Sequence, residues 1–77
     1  MQLSDLKKYF RSGVIESAQV LPVSDGWVVE CKMLNGNKEK LIKARSTDVK
    51  HYKSVTGAIS DLKNAGLNKA EVLLEEV

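Results

Sequence analysis

The feature that most constrains the fold of this chain is an alternating segment followed by an Asn-Gly turn. From Trp27 to Leu34 the residues alternate with period two, which predicts a strand with one buried face. The residues of that inward face are Trp27, Val29, Cys31 and Met33. Asn35-Gly36-Asn37 follows, and Asn-Gly supplies the positive φ angles of a tight primed turn. Because residues 38–45 alternate again, the centre of the chain is predicted to be an antiparallel hairpin.

The segment before the hairpin predicts a short helix. Leu3, Leu6 and Phe10 recur at helical spacing, and Tyr9 widens that apolar stripe. Ser4 can cap the first turn, and a glycine at position 13 suits the end of a helix. Residues 4–12 are therefore predicted to form the first helix, with the basic residues of the segment pointing away from the stripe.

The segment after the hairpin predicts a second helix. Ser54 is expected to cap it, and Gly66 is expected to end it in the left-handed conformation. Between them lies an amphipathic stripe formed by Val55, Ala58, Ile59, Leu62 and Ala65. Three further strands are predicted over residues 17–23, 49–53 and 70–75.

These elements occur in the order α-β-β-β-β-α-β and predict an α+β fold. The expected architecture is a mainly antiparallel sheet of four or five strands packed against two helices. With 77 residues, the chain is predicted to form a single domain over residues 1–77. The last strand follows its helix closely, so it can pair in parallel with an earlier strand or close an edge of the sheet, and the sequence leaves both open.

The composition excludes several classes of protein. Apolar residues make up 43% and charged residues 29%, as in ordinary globular domains. The single cysteine, Cys31, allows no internal disulfide, and no His–Cys cluster has the spacing of a metal site. The longest apolar runs fall far short of the roughly 18 residues that cross a bilayer, and no export signal precedes them. The sequence predicts a cytoplasmic protein with no membrane, metal or cofactor partner.

Catalysis has little support in the sequence. His51 lies between two other polar residues of a predicted strand, with no recognisable partner to orient it as a general base. Cys31 belongs to the inward face of the hairpin, where cysteine packs as a small apolar residue. We therefore expect a protein that is not an enzyme, with no catalytic residues.

The charge of the chain is distributed unevenly. The formal net charge is only +2. Residues 38–53 carry six basic side chains against Glu39 and Asp48, a net charge of +4, whereas the last eight residues carry three glutamates and no base, a net charge of −3. A basic stripe neutralises phosphates, and an aromatic ring within it can stack on a base. The predicted nucleic-acid-binding residues are Lys38, Lys40, Lys43, Arg45, Lys50, Tyr52 and Lys53.

A second function agrees with the same observations. A thin core, a short last strand with an acidic end and a basic centre also suit docking to another protein or pairing with a second copy of the chain. DNA, another protein and a homodimer therefore all remain partners that the sequence allows.

Two long stretches of the chain resemble a known group of small bacterial proteins. The first runs from Asp5 to Ala18 and continues with Asp25-Gly26-Trp27, and the second runs from Ala44 to Leu67. Both are similar to proteins of plasmids and integrative elements that are labelled plasmid partition-associated or plasmid replication-related. In that group a glycine follows the arginine of the hairpin, whereas this chain has Ser46. The resemblance implies an accessory protein of a mobile genetic element that contacts DNA.

Overall fold

The computed structural model describes residues 1–75. The two helices are α1 (Leu3–Arg11) and α2 (Val55–Asn64). The four strands are β1 (Ile15–Val23), β2 (Gly26–Met33), β3 (Lys38–Lys40) and β4 (Glu71–Val72). The predicted α+β fold is confirmed, and the predicted strand over residues 49–53 is reduced to two isolated bridges.

The four strands form one mixed sheet in the order β3-β2-β1-β4. The pairs β1–β2 and β2–β3 are antiparallel, as the hairpin pattern predicts. β4 pairs in parallel with β1 through Gln19–Glu71 and Val20–Val72. A parallel neighbour requires a long crossover connection, which α2 supplies between β3 and β4. The last strand therefore both pairs in parallel and closes an edge.

One face of the sheet carries the hydrophobic core. Leu6 of α1 and Leu62 of α2 pack in one buried cluster with Val20 of β1 and with Val29 and Cys31 of β2. The predicted inward face of the hairpin is thus confirmed, with Trp27 packed at its margin. Side chains of alternate strand residues point to the opposite face, here called the open face, on which Val28 is nevertheless buried. By strand register, the open face carries Ser17, Gln19, Leu21, Val28, Glu30, Lys32, Lys38, Lys40 and Glu71.

The turn between β2 and β3 differs in detail from the expected one. Gly36 has a φ of 91°, and its amide donates to the carbonyl of Met33 at 2.9 Å. Asn35 has no positive φ, whereas a type I′ turn requires two such residues in succession. The prediction of a primed turn is therefore wrong, although the predicted hairpin is present.

Both ends of α2 are formed as predicted. The Ser54 hydroxyl accepts a hydrogen bond from the amide of Gly57 at 3.3 Å. Gly66 has a φ of 102°, and the next amide, of Leu67, donates to the carbonyl of Leu62 at 3.1 Å. This pattern satisfies carbonyl groups that a helix end otherwise leaves unpaired.

Helix α1 is less buried than its apolar stripe suggests. It begins at Leu3, where the amide of Gln2 donates to Asp5 at 3.1 Å, and Leu6 is its only buried residue. Tyr9 and Phe10 remain 38% and 36% exposed, so the widened stripe does not bury them. The ring of Phe10 faces Gly66, which has no side chain to cover it.

β3 is shorter than predicted because the chain leaves the sheet after it. The amide of Leu41 still donates to Val29 of β2, but the next pair on β2 is Trp27 with Tyr52. Residues 42–51 are therefore excluded from the ladder. The chain doubles back on itself over residues 41–50, here called the arm, through a bridge between Ile42 and Val49.

Candidate nucleic-acid interface

The strand order separates the basic and acidic parts of the chain. The basic segment occupies β3 and the arm at one edge of the sheet, and β4 with Glu71 forms the opposite edge. Strands are spaced about 4.8 Å apart, so these edges are separated by roughly 14 Å. Of the acidic residues predicted at the carboxyl end, Glu76 lies outside the described residues, as does Val77.

Two of the predicted lysines lie on β3. Lys38 and Lys40 are two residues apart, so both project from the open face. Lys38 is directly opposite Lys32 of β2, and Lys40 is opposite Glu30. Lys32 is not among the residues predicted to bind nucleic acid, because the sequence shows it only as one polar residue of the alternating segment. Its ammonium lies 3.7 Å from the carboxylate of Glu16. Glu16 stands where the pairing of β1 with β2 shifts register, between Ile15 and Ser17.

The arm carries the next two predicted residues. Lys43 and Arg45 are both exposed, and the amide of Lys43 donates to the carbonyl of Asp48 at 2.9 Å. The tip is a turn in which the amide of Ser46 donates to Lys43 at 3.2 Å. Arg45 has a φ of 59°, the one non-glycine residue with a positive φ among those described. The arm thus presents an arginine in a conformation that favours glycine.

Replacing Arg45 with glycine is expected to keep the turn and to raise stability slightly. An L-residue in the left-handed region is strained by about 1 kcal/mol, which glycine relieves, although glycine also gains freedom in the unfolded chain. Chemical denaturation of the R45G and R45A variants measures the difference. R45G is expected to be the more stable of the two, and the reverse order would contradict a positive φ at this position.

Tyr52 is held inside the fold, and the partly exposed Lys50 shares its hydrogen-bond acceptor. The hydroxyl of Tyr52 donates to Asp61 of α2 at 2.6 Å, and the ammonium of Lys50 donates to the same carboxylate oxygen at 2.9 Å. Tyr52 is only 8% exposed, and Lys50 lies 5.2 Å from the centre of its ring. The side chain predicted to stack on a base is therefore packed in the core, and the Lys50 charge is already paired.

These contacts change the acidity of both partners. Burial of the Asp61 carboxylate raises its pKa, but hydrogen bonds from Tyr52 and Lys50, together with the lysine charge, outweigh burial and lower the pKa. Burial, the hydrogen bond to Asp61 and the carboxylate charge all raise the pKa of Tyr52 well above its ordinary value. The network therefore keeps a charged aspartate and a neutral tyrosine over the physiological range.

The remaining predicted residue, Lys53, is exposed at the end of the basic segment. His51 precedes Tyr52, and its Nε2 lies 3.6 Å from Asp25, a contact that becomes an ion pair only when the ring is protonated. Cys31 is buried, and burial raises the pKa of its thiol to about 11. This thiol is protonated at neutral pH and packs as an apolar side chain.

A second group of cations was not assigned to binding from the sequence. Five consecutive residues of α1 are exposed, and they combine three cations with two aromatic rings: Lys7, Lys8, Tyr9, Phe10 and Arg11. The signal that could have found them is this composition, since an interleaved basic and aromatic run is typical of nucleic-acid-binding surfaces. Helical periodicity assigned the two rings to the core instead.

Comparison of the chain with protein-family models, with characterised proteins and with solved structures produced no significant match. Within residues 1–75, neither helix has the length and apolar content that a bilayer span needs. No group of three or more histidine, cysteine, aspartate or glutamate side chains in the same residues is arranged to hold a metal ion.

Proposed function

We propose that this protein is a non-enzymatic nucleic-acid-binding protein that contacts phosphates through the β3 edge of its sheet. The observation that carries the proposal is a set of exposed cations at that edge with no carboxylate within 4.0 Å among the residues that the structure describes. These cations are Lys38, Lys40, Lys43, Arg45 and Lys53. Unpaired cations along one edge neutralise phosphates and release condensed counterions, which is the main source of affinity in sequence-independent binding.

The set is smaller than the one predicted from the sequence. Tyr52 is left out because its ring is buried, and Lys50 is left out because Asp61 already pairs its charge. Lys32 extends the set on the open face, with a charge that Glu16 partly offsets. The acidic β4 edge points away from a polyanion bound at β3, so the charge asymmetry of the molecule favours one orientation.

The resemblance to small proteins of plasmids and integrative elements agrees with this proposal. It supplies the context of an accessory protein that acts on the DNA of a mobile genetic element. Under this proposal the arm corresponds to the basic hairpin of that group. In this chain the residue of the arm with a positive φ is Arg45. Ser46, which stands where the group has glycine, has a negative φ.

Fluorescence anisotropy with labelled DNA and RNA at low and moderate salt tests the proposal. The test variant K38Q/K43Q removes two charges from the β3 edge, and the matched control K63Q/K69Q removes two exposed charges elsewhere. Each lost phosphate contact lowers the slope of log affinity against log salt by about 0.9, so the test variant is expected to lose about 2 units of slope. The control should keep the wild-type slope.

Two results would reject the proposal. One is the absence of binding to any nucleic acid at low salt by the wild-type chain. The other is an equal loss in the test and control variants, which would show only a response to net charge. The alternative of a protein-interaction module predicts a different outcome, namely a defined dimer or complex that survives nuclease treatment and the loss of Lys38 and Lys43.

A further inference from the structure

Helix α1 presents aromatic and basic side chains together on its exposed side. Lys7 and Arg11 are four residues apart and Phe10 lies between them, so all three share one face of the helix. No carboxylate lies within 4.0 Å of Lys7 or Arg11 among the described residues. The free charges and the exposed ring therefore meet at the same surface.

A concavity lies directly beside this face. It has a volume of about 380 Å³ and is formed where α1 meets the end of α2. Its walls are Lys7, Phe10, Arg11, Asn64, Ala65 and Gly66. One edge of the Phe10 ring rests on Gly66, and the ring remains 36% exposed. The concavity is broad and open to solvent.

The site is separate from the β3 edge. α1 begins at that edge, where the backbone of Met1 pairs with Lys40 and Ile42. It then runs along the core face towards the opposite edge, where Phe10 also lines a groove with Ile15 and Glu16 of β1 and Glu71 of β4. Variants at Phe10 and variants at β3 therefore change different surfaces.

We propose that this concavity binds one nucleotide of a single-stranded nucleic acid, with the base stacked on Phe10 and the phosphate held between Lys7 and Arg11. The inference rests on the proposed function and specifies its ligand. A base in a duplex is already stacked on both faces, so an exposed ring selects unpaired strands, whereas the β3 cations contact phosphates in either form. A ring flanked by two cations matches the base and the phosphate of a nucleotide together.

The test compares single-stranded and duplex oligonucleotides of equal length, in both DNA and RNA, with the F10L variant. Leucine keeps an apolar side chain on Gly66 but has no aromatic face. Stacking is worth enough per base that F10L is expected to weaken single-strand binding by about fivefold to thirtyfold. Duplex binding is expected to stay within about twofold of wild type, because its phosphate contacts lie at β3.

Two further variants keep the test independent of folding. F10W retains an aromatic face and is expected to preserve single-strand binding. L34A removes an exposed apolar side chain, 65% exposed in the structure, and is expected to bind as wild type does. Circular dichroism spectra and thermal melting of each variant verify that the fold is intact.

The outcomes separate this inference from the proposed function. If wild type binds no nucleic acid, both proposals fail. If wild type binds with a salt slope that depends on Lys38 and Lys43, but F10L binds single strands as wild type does, only the stacking site is wrong. An equal loss in F10L and L34A would also overturn it, because Leu34 lies outside the concavity and its loss would show a general response to removing an exposed apolar side chain. If the wild-type chain prefers the single strand over the duplex only for DNA or only for RNA, that nucleic acid is the ligand.

Discussion

Replacing Gly26 with alanine is expected to destabilise this protein by more than about 3 kcal/mol. Gly26 begins β2 with a φ of 142°, which L-residues rarely adopt. A Cβ at this position would overlap the carbonyl oxygen of Tyr52, which accepts a hydrogen bond from the amide of Trp27 at 2.8 Å. The backbone would have to move, and the bridge that returns the chain to the sheet after the arm would break. Strain and loss of packing each cost about 1–3 kcal/mol.

Gly36 provides the matched control for this prediction. It also has a positive φ, of 91°, but nothing lies within 4 Å of an added Cβ. G36A is therefore expected to cost only the conformational strain, about 1 kcal/mol. Urea denaturation of both variants gives the comparison. Similar losses in G26A and G36A would show that the contact with Tyr52 is not what restricts Gly26.

Removing the hydroxyl of Tyr52 is expected to produce the second largest loss. A hydrogen bond to a charged group contributes about 1.5–3 kcal/mol, so Y52F should destabilise the protein by that amount. D61N removes the charge that both Tyr52 and Lys50 contact. The double variant Y52F/D61N completes a thermodynamic cycle, and a coupling free energy of at least about 1 kcal/mol is expected. Additive losses would contradict a direct bond between the two side chains.

The same network predicts how stability depends on pH. The folded pKa of Asp61 is lowered below its ordinary value of 3.8, so its contribution is present above that value and is lost as the pH falls below it. The folded pKa of Tyr52 is raised above 10.0, so its contribution is present below pH 10 and is lost as the pH rises further. D61N should flatten the acidic limb of the stability profile. Y52F should reduce the loss above pH 10 but leave the loss above pH 9 that the raised pKa of Cys31 causes. Denaturation midpoints measured across pH test both.

The predictions for Tyr52 and Asp61 concern a network that stabilises the fold. In the sequence, Tyr52 stands among the residues predicted to bind nucleic acid. Tyr52 and Lys50 lie between other basic residues in the chain, and only their contacts with α2 remove them from the binding set. Residues 50 and 61 are eleven positions apart, and neither charge pattern nor strand period predicts that they meet. The proposed interface therefore depends on the cations that remain exposed, which are Lys38, Lys40, Lys43, Arg45 and Lys53.

Helix α1 illustrates the opposite error. Spacing assigns Phe10 to the apolar stripe of Leu3 and Leu6, since periodicity records which side of a helix a residue occupies. It does not record whether anything covers that side. Phe10 meets Gly66, which presents no side chain, so the ring stays exposed beside Lys7. The ring predicted to stack on a base, Tyr52, is buried, whereas the exposed ring of Phe10 lies on a different element.

The local sequence determined those structural elements that depend on interactions between residues close together in the chain. Alternation from Trp27 to Met33 set the buried face of β2, and Ser54 and Gly66 set the ends of α2, because these signals act between residues a few positions apart. Only the tertiary structure decided the parallel pairing of β4, the departure of the arm from the sheet and the burial of Tyr52. Each of these depends on contacts between segments distant in the chain, where packing and backbone pairing outweigh local preference.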